Sequence, residues 1–350
     1  MNGPTLHRGS RSTGGTATAP LRHPGSLLRD LDLDRSAALS LVERARTLRA
    51  AKQTRSEVPL LAGRTIALLF ERASTGIRVA FEVAAHDQGA HVTYLGPERA
   101  RLGTRESVQD SARALGRIFD GIAFHGHDHG AAEQLADSAG VPVWNGRSDL
   151  WQPVQVLADV LTMTTVAPDV PVGSITVCHV GDGRRSVARS LLVTGALLGM
   201  DVRIAAPEGL EPPDDVLAEA RGLAAASGAR LTVTTDPRTA VRGADFVYGH
   251  GWVDLGESTQ VWALRLPRLL PYRVTDELLD LSGKPGTAFM HALPAVHGTD
   301  SALGRRVHEE LDLDGAEVSP SVFADRSLVF EQVANRMHVT KAVLLAGLAG

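Results

Sequence analysis

The chain has 350 residues, 43% of them hydrophobic and 22% charged, and carries a net charge of −4. That length predicts two domains with sizeable cores, and the mild acidity gives no reason to expect nucleic acid or an anionic membrane as a partner. No apolar run approaches the roughly 20 residues that span a bilayer, and the single cysteine, Cys178, excludes an intramolecular disulfide, which suits a reducing, cytoplasmic setting.

Residues 1–25 are rich in Gly, Ser, Thr, Pro and Arg and contain no acidic residue. A transit peptide shares that bias, but repeated Gly and Pro oppose the amphipathic helix such a peptide needs, so a disordered tail is expected. An apolar run over 65–70 then predicts a buried strand, followed by a polar turn and a helix over 76–88. Ser74 and Thr75 stand where that helix starts. Free backbone N–H groups, hydroxyls and the positive end of the helix dipole make the point a natural anion site.

Further strands are expected at 91–95, 121–124 and 141–144, with helices at 107–118 and 131–138 between them. A long helix over 153–165 crosses to a second unit, with a short linker at 168–173. Strands follow at 175–180, 201–205, 230–234, 245–249 and 287–291, a helix at 184–198, and a last helix at 331–348. This alternation predicts βαβ units: an α/β chain of two doubly wound domains with mainly parallel sheets. The domains are expected to cover 26–152, joined by the C-terminal helix 331–350, and 153–330. Cys178, in an apolar strand, reads as core rather than nucleophile.

Ligands of open parallel sheets bind beyond the carboxyl ends of the strands. Those ends carry Ser74-Thr75, residues 125–129, 181–185, 250–254 and 291–295, and one cleft between two domains collects all five. Gly181-Asp182-Gly183 lacks the third glycine of a dinucleotide loop and reads as a turn. His125, His127 and His129 alternate, so an extended chain would point all three at a metal; a polar loop with one or two cleft histidines is the other reading, and it is preferred. His291, before the turn at Pro294, is either an acid/base group or a histidine satisfying buried backbone. Arg336, near the start of the last helix, either binds an anion or caps a neighbouring element.

Several phrases carry a resemblance. They are Phe81-Glu82-Val83-Ala84-Ala85 with Asp87-Gln88-Gly89-Ala90, Val92-Thr93-Tyr94-Leu95-Gly96-Pro97, Val143-Trp144-Asn145-Gly146, Leu157-Ala158-Asp159, Gly243-Ala244-Asp245-Phe246-Val247-Tyr248 and Asn335-Arg336-Met337-His338. Over roughly residues 27–350 the chain resembles the ornithine transcarbamylase family. The resemblance implies two α/β domains around a cleft, a homotrimer with active sites near subunit interfaces, and attack by the δ-amine of ornithine on carbamoyl phosphate.

Carried over residue by residue, Ser74, Thr75, Arg78, Gln155, Leu293 and Arg336 match the family's motifs. Where the family reads S-T-R-T-R this chain has Gly76 and Ile77 for an arginine and a threonine, and His125 stands for a second phosphate arginine. Gln152 replaces the histidine of H-P-T-Q, and Ala292 the cysteine of H-C-L-P. In the D-x-x-x-S-M-G loop, His250, Asp254 and Leu255 replace aspartate, serine and methionine. Arg185-Ser186 replaces an asparagine pair.

The expectation drawn from these replacements is a divergent enzyme of specialised metabolism acting on a small amino-acid-like metabolite, with ordinary ornithine carbamoylation absent or very weak. Losing one charge-assisted bond to an anion costs about 1.5–3 kcal/mol, and several are lost together. His125, His250 and His291 are the acid/base candidates. Arg78, Arg185 and Arg336 are the anion-binding candidates and Asp254 is matched to a cationic group. Ser74, Thr75, Gly76, Gln152, Gln155, Ser186, Leu255, Ala292 and Leu293 complete the substrate-binding set. No cofactor and no metal is expected. The alternatives are a carbamoyltransferase with a rebuilt phosphate site and another acceptor, and an inactive metabolite-binding or partner subunit.

Overall fold

The computed structural model describes residues 23–98, 102–104, 106–253 and 256–349. Residues 1–22, most of the expected tail, lie outside it, as do Asp254 and Leu255.

The first α-helix among the described residues is one that the sequence reading did not single out, α1 (Arg35–Gln53), capped by the Asp34 side chain, which accepts from the Ala37 N–H. The first sheet follows: β1 (Thr65–Phe70), α2 (Thr75–Asp87), β2 (His91–Leu95), α3 (Val108–Leu115), β3 (Gly121–His125), α4 (His129–Ala139) and β4 (Val143–Arg147). Its strands are all parallel, in the order β2-β1-β3-β4. The next helix, α5 (Pro153–Val166), starts with proline at its first turn, where the missing N–H costs nothing.

The second unit runs β5 (Thr176–Val180), α6 (Ser186–Leu198), β6 (Asp201–Ala205), α7 (Asp214–Ser227), β7 (Arg230–Thr234), α8 (Pro237–Ala240), β8 (Phe246–Gly249), α9 (Thr259–Leu269), α10 (Asp276–Asp280), β9 (Ala288–His291), α11 (Ala302–Leu311) and α12 (Pro320–Asp325). Its sheet is parallel too, in the order β7-β6-β5-β8-β9. Two α/β units with parallel sheets are thus the observed fold class. The inner strands β1, β3, β5 and β8 are buried on both faces, which is why they read as unbroken apolar runs rather than as alternation.

The last helix, α13 (Val329–Leu348), packs against α1, α2 and α5, all beside the first sheet, and also touches β9. Lys341 on α13 is fully buried and ion-paired to Glu57 at 2.7 Å and to Asp87 at 2.6 Å. Asp87 also takes Lys52, and the two lysines hold its carboxyl below the usual carboxylate range against the opposing effect of burial. Removing one partner of a buried pair costs about 3–5 kcal/mol, so this cluster fixes α13 to the first unit.

Strand order reverses between β1 and β3 in the first sheet and between β5 and β8 in the second. Crevices open at the carboxyl ends of the strands at such reversals. Residues following β1, β3, β5 and β8 line one cleft, of about 1200 Å³.

Candidate active site

Ser74 caps α2, its hydroxyl accepting from the Ile77 N–H, and Thr75 opens the helix with its side chain exposed at the cleft. Gly76 follows. A Cβ there would lie 2.7 Å from Nη2 of Arg336, so the absence of a side chain lets the Arg336 guanidinium stand against the helix start. Arg336 comes from α13, 260 residues later, and its position is specified by a chain of buried bonds. Its Nη1 donates to Gln155 Oε1 at 2.9 Å. Gln155 Nε2 donates to Asp159 at 2.7 Å, and Asp159 also accepts from Gln332 Nε2 at 2.7 Å and from the Tyr248 hydroxyl at 2.9 Å. Burial pushes the Asp159 carboxyl up to about 6 against the pull of these three donors.

His125 ends β3. Its Nδ1 faces the Arg147 carbonyl at 3.1 Å, and a carbonyl can only accept, so Nδ1 carries the proton. Burial, then the charges of Arg147 and Arg72, push the imidazole down to about 4, and it is neutral at pH 7. From the other unit, His250 follows β8 with Nδ1 at 2.8 Å from the Gly251 carbonyl, so its Nε2 is the bare, accepting nitrogen. Burial holds it well below the usual imidazole range, reinforced by Arg185, Arg147, His291 and His179 in that order.

Between these walls Gln152 bridges to α6: its backbone N–H donates to Ser190 Oγ at 2.9 Å and its Nε2 to Ser186 Oγ at 2.7 Å. Asp182 gathers Arg184, at 2.9 Å, and Arg185, at 3.7 Å. Among the described residues six arginines but only two aspartates line the cleft, so its field suits an anionic ligand.

Of the sequence candidates, the structure brings Ser74, Thr75, Gly76, His125, Gln152, Arg185, Ser186, His250, Ala292, Leu293 and Arg336 to the cleft. It leaves three behind. Arg78 points away: it pairs with Glu82 at 2.8 Å and lies 3.8 Å over the Tyr94 ring. Gln155 sits beneath the lining as the support of Arg336. His291 is buried beside Glu317, 3.3 Å away, and does not reach the cleft. As for the three alternating histidines, the extended chain stops at Asp128, whose side chain caps α4. That rotates His129 into a bond with Ser148 Oγ at 3.1 Å, and no group of three or more His, Cys, Asp or Glu among the described residues is placed to hold a metal.

Sequence reasoning missed Arg147. The expected strand at 141–144 is in fact Val143–Arg147, so it extends past the apolar residues through Asn145-Gly146-Arg147 to the cleft edge. Only its pairing with β3 reveals it. Arg265 was also missed; it reaches the cleft from α9 while bonding Glu257 at 2.6 Å.

Family models match the chain over both units: the aspartate/ornithine carbamoyltransferase carbamoyl-P binding domain over residues 26–165, and the Asp/Orn binding domain over 173–346. An ornithine carbamoyltransferase of Cutibacterium acnes is 48% identical over 313 residues, covering 88% of this chain and 93% of the relative. A catabolic ornithine carbamoyltransferase of Burkholderia mallei is 46% identical, covering 89% and 93%. The solved ornithine carbamoyltransferase of Pyrococcus furiosus superposes with a TM-score of 0.85 at 35% identity, covering 93% of this chain and 98% of that one. Relatives this similar over most of the chain bear the plain enzyme name. They overturn the expectation of a divergent enzyme in which ordinary ornithine carbamoylation is absent or very weak. That expectation treated each replaced motif residue as a lost interaction and overlooked Arg147 and Arg265, which reach the cleft from other positions. The chain belongs to the aspartate/ornithine carbamoyltransferase family.

Proposed function

We propose that this cleft transfers the carbamoyl group of carbamoyl phosphate to the δ-amine of ornithine. The observation that carries the reading is the meeting, across one cleft, of a capped helix start backed by arginines with a neutral imidazole from the other unit. The first arrangement suits a phosphate. The second suits an amine, which must present a lone pair to the carbamoyl carbon.

The free N–H groups of the α2 start, the Thr75 hydroxyl and Arg336 take the phosphate and the carbamoyl oxygen. The amide nitrogen of Gln152 has two N–H groups, of which one serves Ser186; the second is available to the developing oxyanion. Arg185 takes the amino-acid carboxylate, and Ala292 and Leu293 pack against the methylenes. The cationic surroundings disfavour the ammonium form of the acceptor, and the bare Nε2 of His250 holds the neutral amine in place.

The amine nitrogen forms a bond to the carbamoyl carbon, and the bond from that carbon to the phosphate oxygen breaks. The electron pair leaves on phosphate, and the proton lost by the amine ends on it. The products are citrulline and hydrogen phosphate, so atoms and charge balance.

A homotrimer, implied by the resemblance, and a cytoplasmic location, suggested by the single cysteine, belong to this proposal. No helix among the described residues is long and apolar enough to cross a membrane. Light scattering of the purified chain reads the trimer, expected at three times 37.1 kDa.

The test of function is a steady-state assay with both substrates. Citrulline formation that saturates in each supports the reading; no citrulline from a folded protein at millimolar substrates sinks it.

A further inference from the structure

We infer that Arg147 is a phosphate-binding residue of this cleft, supplying from β4 the charge that position 125 on β3 lacks. The inference rests on the reading above, that the cleft takes carbamoyl phosphate.

The argument begins with strand register. β3 and β4 are adjacent and parallel, and His125 and Arg147 are direct partners across them, after a slip in register between Phe124 and His125. Both residues end their strands at the cleft, alongside Ser74 and Thr75. A cation removed from one strand end is therefore restored at the neighbouring one, about 4.8 Å away in the hydrogen-bonding direction. A guanidinium at the end of a long, flexible side chain spans such a step.

His125 cannot supply the charge itself. Its ring is buried, its Nδ1–H is committed to the Arg147 carbonyl, and it stacks edge-on to Phe70 with centroids 5.2 Å apart. The protonated form has no place there. Arg147 also lowers the basicity of His125 on one wall and of His250 on the other, so its field reaches across the cleft.

At Gly76 the cation alongside is Arg336, a residue that matches the family's motif. The Arg336 guanidinium stands where a side chain on residue 76 would begin. Arg336 from α13 thus stands against the helix start, and Arg147 from β4 lines the same cleft. Both are arginines, whose planar fork matches a phosphate better than a lysine does.

The experiment compares wild type with Arg147→Gln and Arg147→Lys, reading the KM of each substrate and the binding of inorganic phosphate by calorimetry. The Arg147 carbonyl that holds His125 is backbone and survives both substitutions. Expected is a rise of about 10- to 100-fold in the KM for carbamoyl phosphate in Arg147→Gln, with a parallel loss of phosphate affinity. The KM for ornithine should stay within about twofold, and Arg147→Lys should recover part of the loss. Unchanged carbamoyl phosphate KM and phosphate affinity in a folded Arg147→Gln protein would overturn the inference while leaving the proposed function intact. A wild type that binds phosphate but forms no citrulline would sink the proposed function. Loss of phosphate binding in Arg147→Gln would then still support the inference, and equal binding in the variant would overturn it. A wild type that binds no phosphate and forms no citrulline would overturn both.

Discussion

The two walls of the cleft are built from opposite materials. The first-sheet wall offers backbone N–H groups at a helix start together with guanidinium groups from β4 and α13. The second-sheet wall offers His250, backed by His179 and His291, whose ring nitrogens have no hydrogen-bond partner among the described residues. One wall concentrates positive charge where water still reaches; the other removes water from His250 and His179, whose imidazoles burial holds below their usual range. The two effects reinforce each other. Burial, with Arg185 and Arg147, depresses His250, and a neutral His250 does not add its charge to the arginines that face the anion.

The largest expected effect comes from the first wall. Arg336→Gln should lower kcat/KM for carbamoyl phosphate by about 100-fold or more, because it removes the donor beside both the helix start and the reacting carbonyl. A loss below tenfold in steady-state kinetics would break the assignment of the phosphate to this wall.

His250→Asn should reduce kcat/KM for ornithine by about 10- to 100-fold, with the KM for carbamoyl phosphate unmoved. Because the folded pKa of His250 lies well below 6.5, the imidazole stays neutral above that value. The wild-type pH profile should therefore show no limb from His250 between about pH 6 and 8. A wild-type limb near 6.5 that vanishes in the variant would contradict a neutral His250.

Asp159→Asn probes the connection between the walls, since the carboxyl bonds helices α5 and α13 to Tyr248 on β8. It should cost about 1–3 kcal/mol in denaturant unfolding, because one of three converging donors is left without an acceptor. The sign of its pH dependence is fixed by a folded pKa of about 6, raised above 3.8. Its favourable contribution is complete below about pH 4 and is lost as pH rises through about 6. The stability difference between wild type and variant should follow that window, and a difference independent of pH would mean Asp159 is ionised throughout.

Smallest of all, Arg185→Gln should weaken ornithine binding a few-fold and raise the pKa of His250. An ornithine KM equal to that of wild type would break the assignment of the amino-acid carboxylate to Arg185.

Most of the fold was legible in the sequence because strands buried on both faces must be apolar along their whole length. The site was legible only where it follows local rules. Ser74 and Thr75 announce themselves as a helix cap, and residues after β5 and β8 are placed by topology alone. Arg147 escaped because a strand's polar end carries no periodic signal, and only the pairing of β3 with β4 brings it beside His125. The partnership of Gly76 with Arg336 joins residues 260 positions apart, and a bare glycine where an arginine was expected was its one trace. His291 was misplaced because strand position says that a residue is near the cleft, not that Glu317, arriving from a later loop, lies alongside it behind the cleft lining. Counting replaced motif residues as losses led to the wrong expectation for activity, because it gave no weight to Arg147 and Arg265, which line the cleft from positions outside those motifs.

The most direct test follows the carbamoyl carbon itself. Purified protein is mixed with ¹³C-labelled carbamoyl phosphate and ornithine, and the carbon is watched by NMR. The account predicts that the label passes into the ureido carbon of citrulline, with one phosphate released per citrulline. Label that stays in carbamoyl phosphate, or leaves as carbonate without entering citrulline, would contradict it.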